Sequence, residues 1–194
     1  MSRTYDSDGL RGLRAADTAV RILEVAERLF STQPFDRLSL ATVAKEAGVT
    51  IPTLQRKFGN KEGLFAALAP VVRARIAEQR GTPPRGDVES ALKQLVTHYE
   101  AEGKLVWHML RQEQDVPALK VALEEGRGVH RAWVEAVFAH ALPARGKARA
   151  ARVDALVAVT DLYLWKLLRL DLGRSRAHVE ETLIAMAHAV AGAR

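Results

Sequence analysis

Apolar positions recur every three or four residues along most of the chain, and no stretch alternates with a strand's period of two for any length. The pattern predicts an all-α protein. Ala, Leu, Arg, Glu and Lys are abundant and favour helix, while glycine and proline gather at a few points that act as punctuation. A first helix is expected from Asp17 or Thr18, either of which can cap it, with Leu23, Ala26, Leu29 and Phe30 on one face and Pro34 closing it. A second follows Ser39 and stops at Gly48, a third follows Thr50, and a fourth follows Asn60 and reaches Gln79. The run RGTPPRGD at 80–87 is the clearest boundary. Beyond it, helices are expected near 87–101, 104–113, 116–142, 148–172 and 175–191.

The segment LSLATVAKEAGVTIPTLQRKF, from Leu38 to Phe58, carries the most information. Two short helices meeting at Gly48 would pack through the small Ala44 and interlock Val43, Val49 and Leu54, which is the pattern of a helix-turn-helix. Gly48 suits a turn that demands positive φ. The second helix would then present Thr53, Gln55, Arg56 and Lys57, with no acid between Thr50 and Lys61. Such a face matches phosphate oxygens and base edges. The plainer alternative is a helical hairpin whose basic residues only face water.

This region resembles the DNA-binding region of the TetR (tetracycline repressor) family of bacterial transcription regulators, over about the first third of the chain. Arg21, Ile22, Leu23, Ala26, Leu29 and Phe30 match the family's first helix, and Ser39 the cap of its second. Val43 and Ala44 match its packing face, Ala47, Gly48 and Val49 its turn, and Thr53, Leu54 and Phe58 its recognition helix. Lys61, Glu62, Leu64 and Phe65 match the start of its fourth helix. The resemblance implies that Ser39, Thr50, Ile51, Thr53, Gln55, Arg56, Lys57, Asn60 and Lys61 face double-stranded operator DNA. Pro34 stands where the family usually has glycine, Ile51 and Pro52 replace a polar residue and glycine, and Gln55 replaces a frequent tyrosine. Proline in a first helical turn is comfortable, so these departures bear on base contacts and not on the fold. Ile51 can touch a thymine methyl, Gln55 can pair with adenine and Arg56 with guanine. The helix start at Asn60 and Lys61 would receive a phosphate, with the Lys61 ammonium beside it. Arg3, Arg11 and Arg14 precede the first helix; either Arg11 or Arg14 enters a minor groove, or the arm is a solvated terminus.

A helix-turn-helix reads a long site as a dimer, so a homodimer is expected, with a palindromic operator. The family's last two helices form a four-helix bundle with their symmetry mates. Leu156, Val159, Leu183, Met186 and Val190 are the expected seam, although an internal core gives the same periodicity. The family's middle helices enclose a small-molecule pocket. Trp107, Met109, Trp133, Phe138, Tyr163 and Trp165, with His98, Tyr99 and His108, are the groups available to line one. His98, Trp107, His108, Trp133 and Tyr163 are the first choices, Trp107 and Tyr163 ahead of the rest, against ordinary core packing for each. The expected organisation is a flexible basic arm over 1–16 and a three-helix DNA-binding domain over 17–60. A connecting fourth helix over 61–79 and a larger helical ligand-binding and dimerisation domain over 80–194 complete it. The implied function is a transcription regulator, a repressor relieved by a small-molecule effector.

Charge and composition narrow the alternatives. The 194 residues hold 29 Lys+Arg against 23 Asp+Glu, a net charge of +6, which permits a nucleic-acid partner without demonstrating one. With 48% hydrophobic and 27% charged residues, a disordered chain is excluded. No cysteine occurs, which removes disulfides, thiolate metal sites and cysteine nucleophiles, and makes the cytoplasm the expected compartment. No run is long and apolar enough to suggest a membrane partner. The histidines show no compact metal spacing, and GxSxG, GxxxxGK[ST] and GxGxxG are all missing, so neither an enzyme nor a cofactor is expected. His98 and Glu102 share a helix face and could pair as acid and base, or simply hydrogen-bond. Arg145, Lys147, Arg149 and Arg152 read as a solvated basic face. A helical enzyme or scaffold, in which the hairpin only packs, is the alternative from another class.

Overall fold

Capping residues set most of the helix ends in the computed structural model, which describes residues 4–81 and 86–192, with side chains from residue 16 onward. The chain runs α1 (Thr4–Thr32), a 3-10 turn (Phe35–Arg37), α2 (Leu40–Glu46), α3 (Ile51–Phe58) and α4 (Lys61–Arg80). It continues with α5 (Val88–Leu110), α6 (Pro117–Val137), a 3-10 turn (Ala139–Ala141), α7 (Lys147–Thr160), α8 (Leu162–Lys166), a π turn (Leu167–Asp171) and α9 (Arg176–Gly192). No strand occurs among the described residues. Ser39, Thr50, Asp87 and Asp161 accept backbone N–H bonds at the starts of α2, α3, α5 and α8, satisfying donors that have no intrahelical partner.

Four boundaries differ from the sequence expectation. The α1 backbone begins at Thr4 and not at Asp17, because helix formers continue upstream through Leu10, Leu13 and Ala15. The stretch expected as an arm is thus helical from Thr4. Arg3 and the side chains of Arg11 and Arg14 lie outside the described residues. The two helices expected over 87–101 and 104–113 are one, α5, and the helix expected over 148–172 is broken at Asp161, whose carboxylate turns back to cap α8. By internal contacts the chain divides into Met1–Val72 and Arg73–Arg194, so the division falls within α4 and not at the proline run.

The first unit is organised by three phenyl rings. Phe30 and Phe35 stack with centroids 5.3 Å apart, and Phe65 meets both edge-on at 5.3 and 6.0 Å. Ile22, Ala26, Leu29, Leu38, Val43, Ala44, Ala47, Leu54, Leu64 and Leu68 complete a buried core, whereas Val49 and Phe58 of the helix-turn-helix pattern are half-buried. This burial supplies most of the stability of helices as short as α2 and α3.

The second unit packs α5 against α6, α8 and α9, and α7 against α6 and α9. Its core runs through Leu92, Leu95, Val96, Tyr99, Val134, Phe138, Leu156, Trp165, Val179 and Leu183. Gly103 lies inside α5 and does not end it. A Cβ there would stand 2.6 Å from the Trp165 ring, so glycine at this position lets the indole reach the helix backbone. The indole Nε1 donates to Glu100 at 2.8 Å, and Arg169 grips the same carboxylate at 2.8 and 2.9 Å. These bonds hold the Glu100 carboxyl below its ordinary pKa, the Arg169 contacts being the main cause.

Candidate nucleic-acid interface and cavity

The corner between α2 and α3 follows from its backbone bonds. The Val49 N–H donates to the Ala44 carbonyl at 2.9 Å and the Gly48 N–H to Lys45 at 3.2 Å, while Gly48 sits at φ +64°. This is a Schellman ending, in which the left-handed residue lets two terminal carbonyls find donors. The Arg21 Nε donates to the Ala47 carbonyl at 2.9 Å, and Arg28 pairs with Glu46, so α1 braces the corner. Leu54 is fully buried and fixes the rotation of α3 about its own axis.

With that rotation set, Ile51, Pro52, Gln55, Arg56 and Lys57 are exposed, and Thr53 is half-buried. The Gln55 and Arg56 side chains have no partner among the described residues, so their donors are available to a ligand. Successive helical residues lie about 100° apart, so Gln55, Arg56 and Lys57 fan across a broad face and do not form a single row. Ser39 and Thr50 act as caps, accepting from the Thr42 and Thr53 N–H groups at 3.1 and 3.3 Å. Asn60 caps α4 through the Gly63 N–H at 2.8 Å. Lys61 does not extend toward a ligand as expected. Its ammonium donates to the Phe35 carbonyl at 2.7 Å and lies 4.5 Å from the centroid of that ring, so it ties α4 to the 3-10 turn.

A cavity of about 420 Å³ lies in the second unit. The last turns of α4 line it with Ala74, Ile76, Ala77 and Arg80, facing Tyr99 and Leu110 of α5, Val129 and His130 of α6, and Leu162 and Tyr163 of α8. Of the five expected pocket residues, His98 and Tyr163 line it; Trp107, His108 and Trp133 do not. Trp107 is filled on both sides, with Tyr163 edge-on at 5.6 Å and the Lys166 ammonium 4.6 Å over its ring. The His108 Nδ1 accepts from Arg111 at 3.1 Å. Trp133 stacks behind His130 at 5.7 Å. Large aromatics drew attention in the sequence, whereas the charged lining groups Arg73, Arg80, Arg127 and Asp161 gave no signal, because only tertiary packing brings them together.

The polar network beside the cavity is specific. The Tyr99 hydroxyl donates to the Thr160 carbonyl at 2.8 Å, and the Thr160 hydroxyl donates to Leu156 at 2.7 Å, which satisfies the end of α7. His130 places Nε2 3.1 Å from the Thr160 hydroxyl and Nδ1 3.4 Å from Arg80 Nη1. Because a guanidinium only donates, Nδ1 carries the lone pair and Nε2 the proton. Burial, with the Arg80 cation nearby, pushes both His98 and His130 down to about 3, so both are neutral at pH 7. His98 and Glu102 do not form a pair. Glu102 accepts from Arg75 at 2.8 and 3.1 Å, and His98 Nδ1 lies 3.2 Å from the Gln79 amide oxygen. No group of three metal-ligating side chains occurs among the described residues.

Two of the expected seam residues are not available to a second copy. Leu156 and Leu183 are fully buried within the protomer's own core; their helical spacing reports internal packing. Val159 and Val190 are half-buried against that core, and Met186 is exposed. Tyr163, Leu167, Leu170 and Leu172 are exposed as well. In the basic cluster, Arg149 donates to Glu135 and to the Pro143 carbonyl, and Arg152 to the carbonyls of Ala141 and Ala191, so neither is merely solvated.

A glycine-cornered pair of short helices with an exposed, donor-rich second helix, followed by a larger helical unit enclosing a cavity, defines a helix-turn-helix protein of two units. Residues 22–68 match the profile described as bacterial regulatory proteins, tetR family. A curated relative, the HTH-type transcriptional regulator AcrR of Shigella flexneri, is 36% identical over 89 residues, which is 43% of this chain and 40% of that protein. The match therefore spans two-fifths of that relative's length. A TetR-family regulator from Streptomyces coelicolor superposes with a TM-score of 0.73 at 19% identity, covering 90% of this chain and 80% of that one. GusR of Salmonella enterica does so with a TM-score of 0.71 at 19% identity, covering 91% and 96%. Residues 22–68 thus match the DNA-binding region of the tetR family, and the chain as a whole shares the fold of these regulators.

Proposed function

We propose that the chain is a transcriptional repressor that binds a palindromic operator as a homodimer through α3 and is released by a small molecule held in the cavity of the second unit. The observation that carries this reading is the state of α3. Leu54 is sealed inside while Gln55 and Arg56 stand exposed with unused donors, on a stretch free of acids from Thr50 to Lys61. Ile51 and Pro52 complete the face with apolar surface suited to a thymine methyl. Ser39, Thr50, Thr53 and Asn60 sit at helix starts, where N–H groups and partial positive charge favour phosphate, and Lys57 adds charge. Lys61, engaged with Phe35, supports this surface from behind.

The exposed apolar group Tyr163, Leu167, Leu170, Leu172 and Met186 supports pairing with a second copy through the α8 to α9 region, because a monomer rarely leaves such surface in water. The cavity supports the effector role because α4, which starts directly after the reading head, ends as part of its wall. A molecule that binds one position of α4 better than another shifts DNA affinity by that difference. The reading assigns the protein no catalysis and a cytoplasmic site of action. No described helix is long and apolar enough to cross a membrane. The test is selection of bound duplexes from the source genome, followed by affinity measurement at increasing salt. The logarithm of affinity should fall linearly and steeply with the logarithm of salt concentration. Absence of any salt-sensitive duplex binding would end the reading.

A further inference from the structure

We infer that the cavity takes a small apolar acid, whose carboxylate or comparable monoanion docks on the guanidinium of Arg80; this deepens the effector reading above and rests on it. Arg80 is only 8% exposed, and its Nε has no hydrogen-bond partner. Its polar neighbours are the Tyr99 hydroxyl and the neutral His130, whose Nδ1 lies 3.4 Å from Nη1, and Trp133 offers a ring face at 5.8 Å. Among the described residues no ion pair within 4.0 Å reaches it, unlike the two other cations of the lining. Arg73 is paired with Glu125, and Arg127 holds Glu113 through two bonds of 2.6 Å.

Of the titratable groups around Arg80, Asp161 alone answers its charge, and it does so without forming an ion pair within 4.0 Å among the described residues. His98 and His130 are uncharged at pH 7, and Tyr99 is kept protonated by burial and donates to Thr160. Asp161 is the one carboxylate of the lining among the described residues, and its Oδ1 is committed to the Tyr163 N–H at 3.0 Å. The cavity thus holds a desolvated cation without a contact counter-ion, within walls of Ala74, Ile76, Leu110, Leu123 and Leu162. A buried charge left in that state is costly, and a ligand that brings the missing anion together with apolar bulk relieves the cost. A guanidinium also presents donors in a fork that fits a carboxylate. A cationic ligand would meet repulsion, and a neutral one would bring no contact counter-ion.

The test uses matched probes on the purified full chain: octanoate, octanamide and octylamine, and 4-phenylbutyrate with its amide and amine. Binding is measured by calorimetry and by the shift in melting temperature, with release of selected operator DNA as a separate readout. The acids are expected to bind at least tenfold more tightly than their amides, and the amines more weakly still. Arg80→Met should abolish the preference for acid over amide, whereas Arg80→Lys should retain part of it. Should Arg80→Met not fold, the wild-type ranking and Arg80→Lys decide the matter. Amides or amines that bind the cavity as well as the acids overturn the anion assignment and leave the effector reading standing. If no probe class binds and no compound in a broader screen releases DNA, both fall.

Discussion

Replacing Gly103 by alanine sets two effects of known sign against each other. Alanine avoids the extra backbone entropy that glycine loses in a helix, a gain of about 0.5–1 kcal/mol. The added Cβ, however, would stand 2.6 Å from Cζ3 and 2.8 Å from Cη2 of Trp165. Carbon atoms prefer separations of about 3.5–4.0 Å, so the ring or the helix must move by most of an ångström. The indole has little room to yield, since it is 2% exposed and its Nε1 is fixed to Glu100. Overpacking of this kind costs about 1–3 kcal/mol, which leaves a net loss on the order of 1–2 kcal/mol. Gly128 is the internal control, because it is exposed on α6 with no atom within 4 Å of its would-be Cβ. There the same substitution should stabilise by about 0.5–1 kcal/mol. Urea denaturation of the two variants should show midpoints displaced in opposite directions at unchanged m. In a Trp165→Phe background most of the Gly103→Ala penalty should vanish, a coupling that a double-mutant cycle reads directly. Displacement of both midpoints in the same direction would refute the claim that Gly103 exists for the approach of Trp165.

Three further outcomes follow from the same geometry. Gly48→Ala meets no steric obstacle but must hold φ +64°, so it should cost about 1–2 kcal/mol in urea denaturation; a neutral result would mean the corner is not left-handed in solution. His98 and His130 have folded pKa values of about 3 against an ordinary 6.5, so the unfolded chain binds the extra protons and stability falls as pH drops below 6.5. Each contributes up to about 1.4 kcal/mol per pH unit in that window, and denaturation midpoints that stay level from pH 7 to pH 5 would contradict their neutral burial. Leu167→Glu with Leu170→Glu should convert a dimer to a folded monomer in sedimentation experiments, and an undiminished dimer would move the interface elsewhere.

The sequence disclosed the local geometry of α2 and α3 almost completely, because its signals are local. Ser39 and Thr50 cap the helices they precede, Gly48 takes the positive φ its position suggested, and Val43, Ala44 and Leu54 are buried at the spacing that proposed them. Legibility fell where a residue's role depends on distant chain. Gly103 reads as a breaker from its neighbours alone, yet its reason lies 62 positions away at Trp165. Asp161 sits inside an unbroken apolar rhythm and ends α7 only because its carboxylate caps α8. Leu156 and Leu183 carry the periodicity of an interface and of an interior alike, and burial within one protomer decides between them. Lys61 looked like a phosphate ligand because nothing in the sequence announces that Phe35 supplies it with a carbonyl and a ring. The cavity was the least legible feature, since Arg80, Tyr99, His130 and Asp161 come from four separate segments.

The most direct measurement is fluorescence anisotropy of genomically selected duplexes with the wild-type protein and with Gln55→Ala and Arg56→Ala, each at several salt concentrations. Both variants should fold as the wild type does, because neither side chain has an internal partner. Each should weaken binding to the preferred duplex by the worth of a base contact, about 1–3 kcal/mol, and relax selectivity at a defined position while leaving binding to unrelated DNA nearly unchanged. Wild-type affinity and selectivity in both variants would contradict the assignment of α3 as the element that reads the bases.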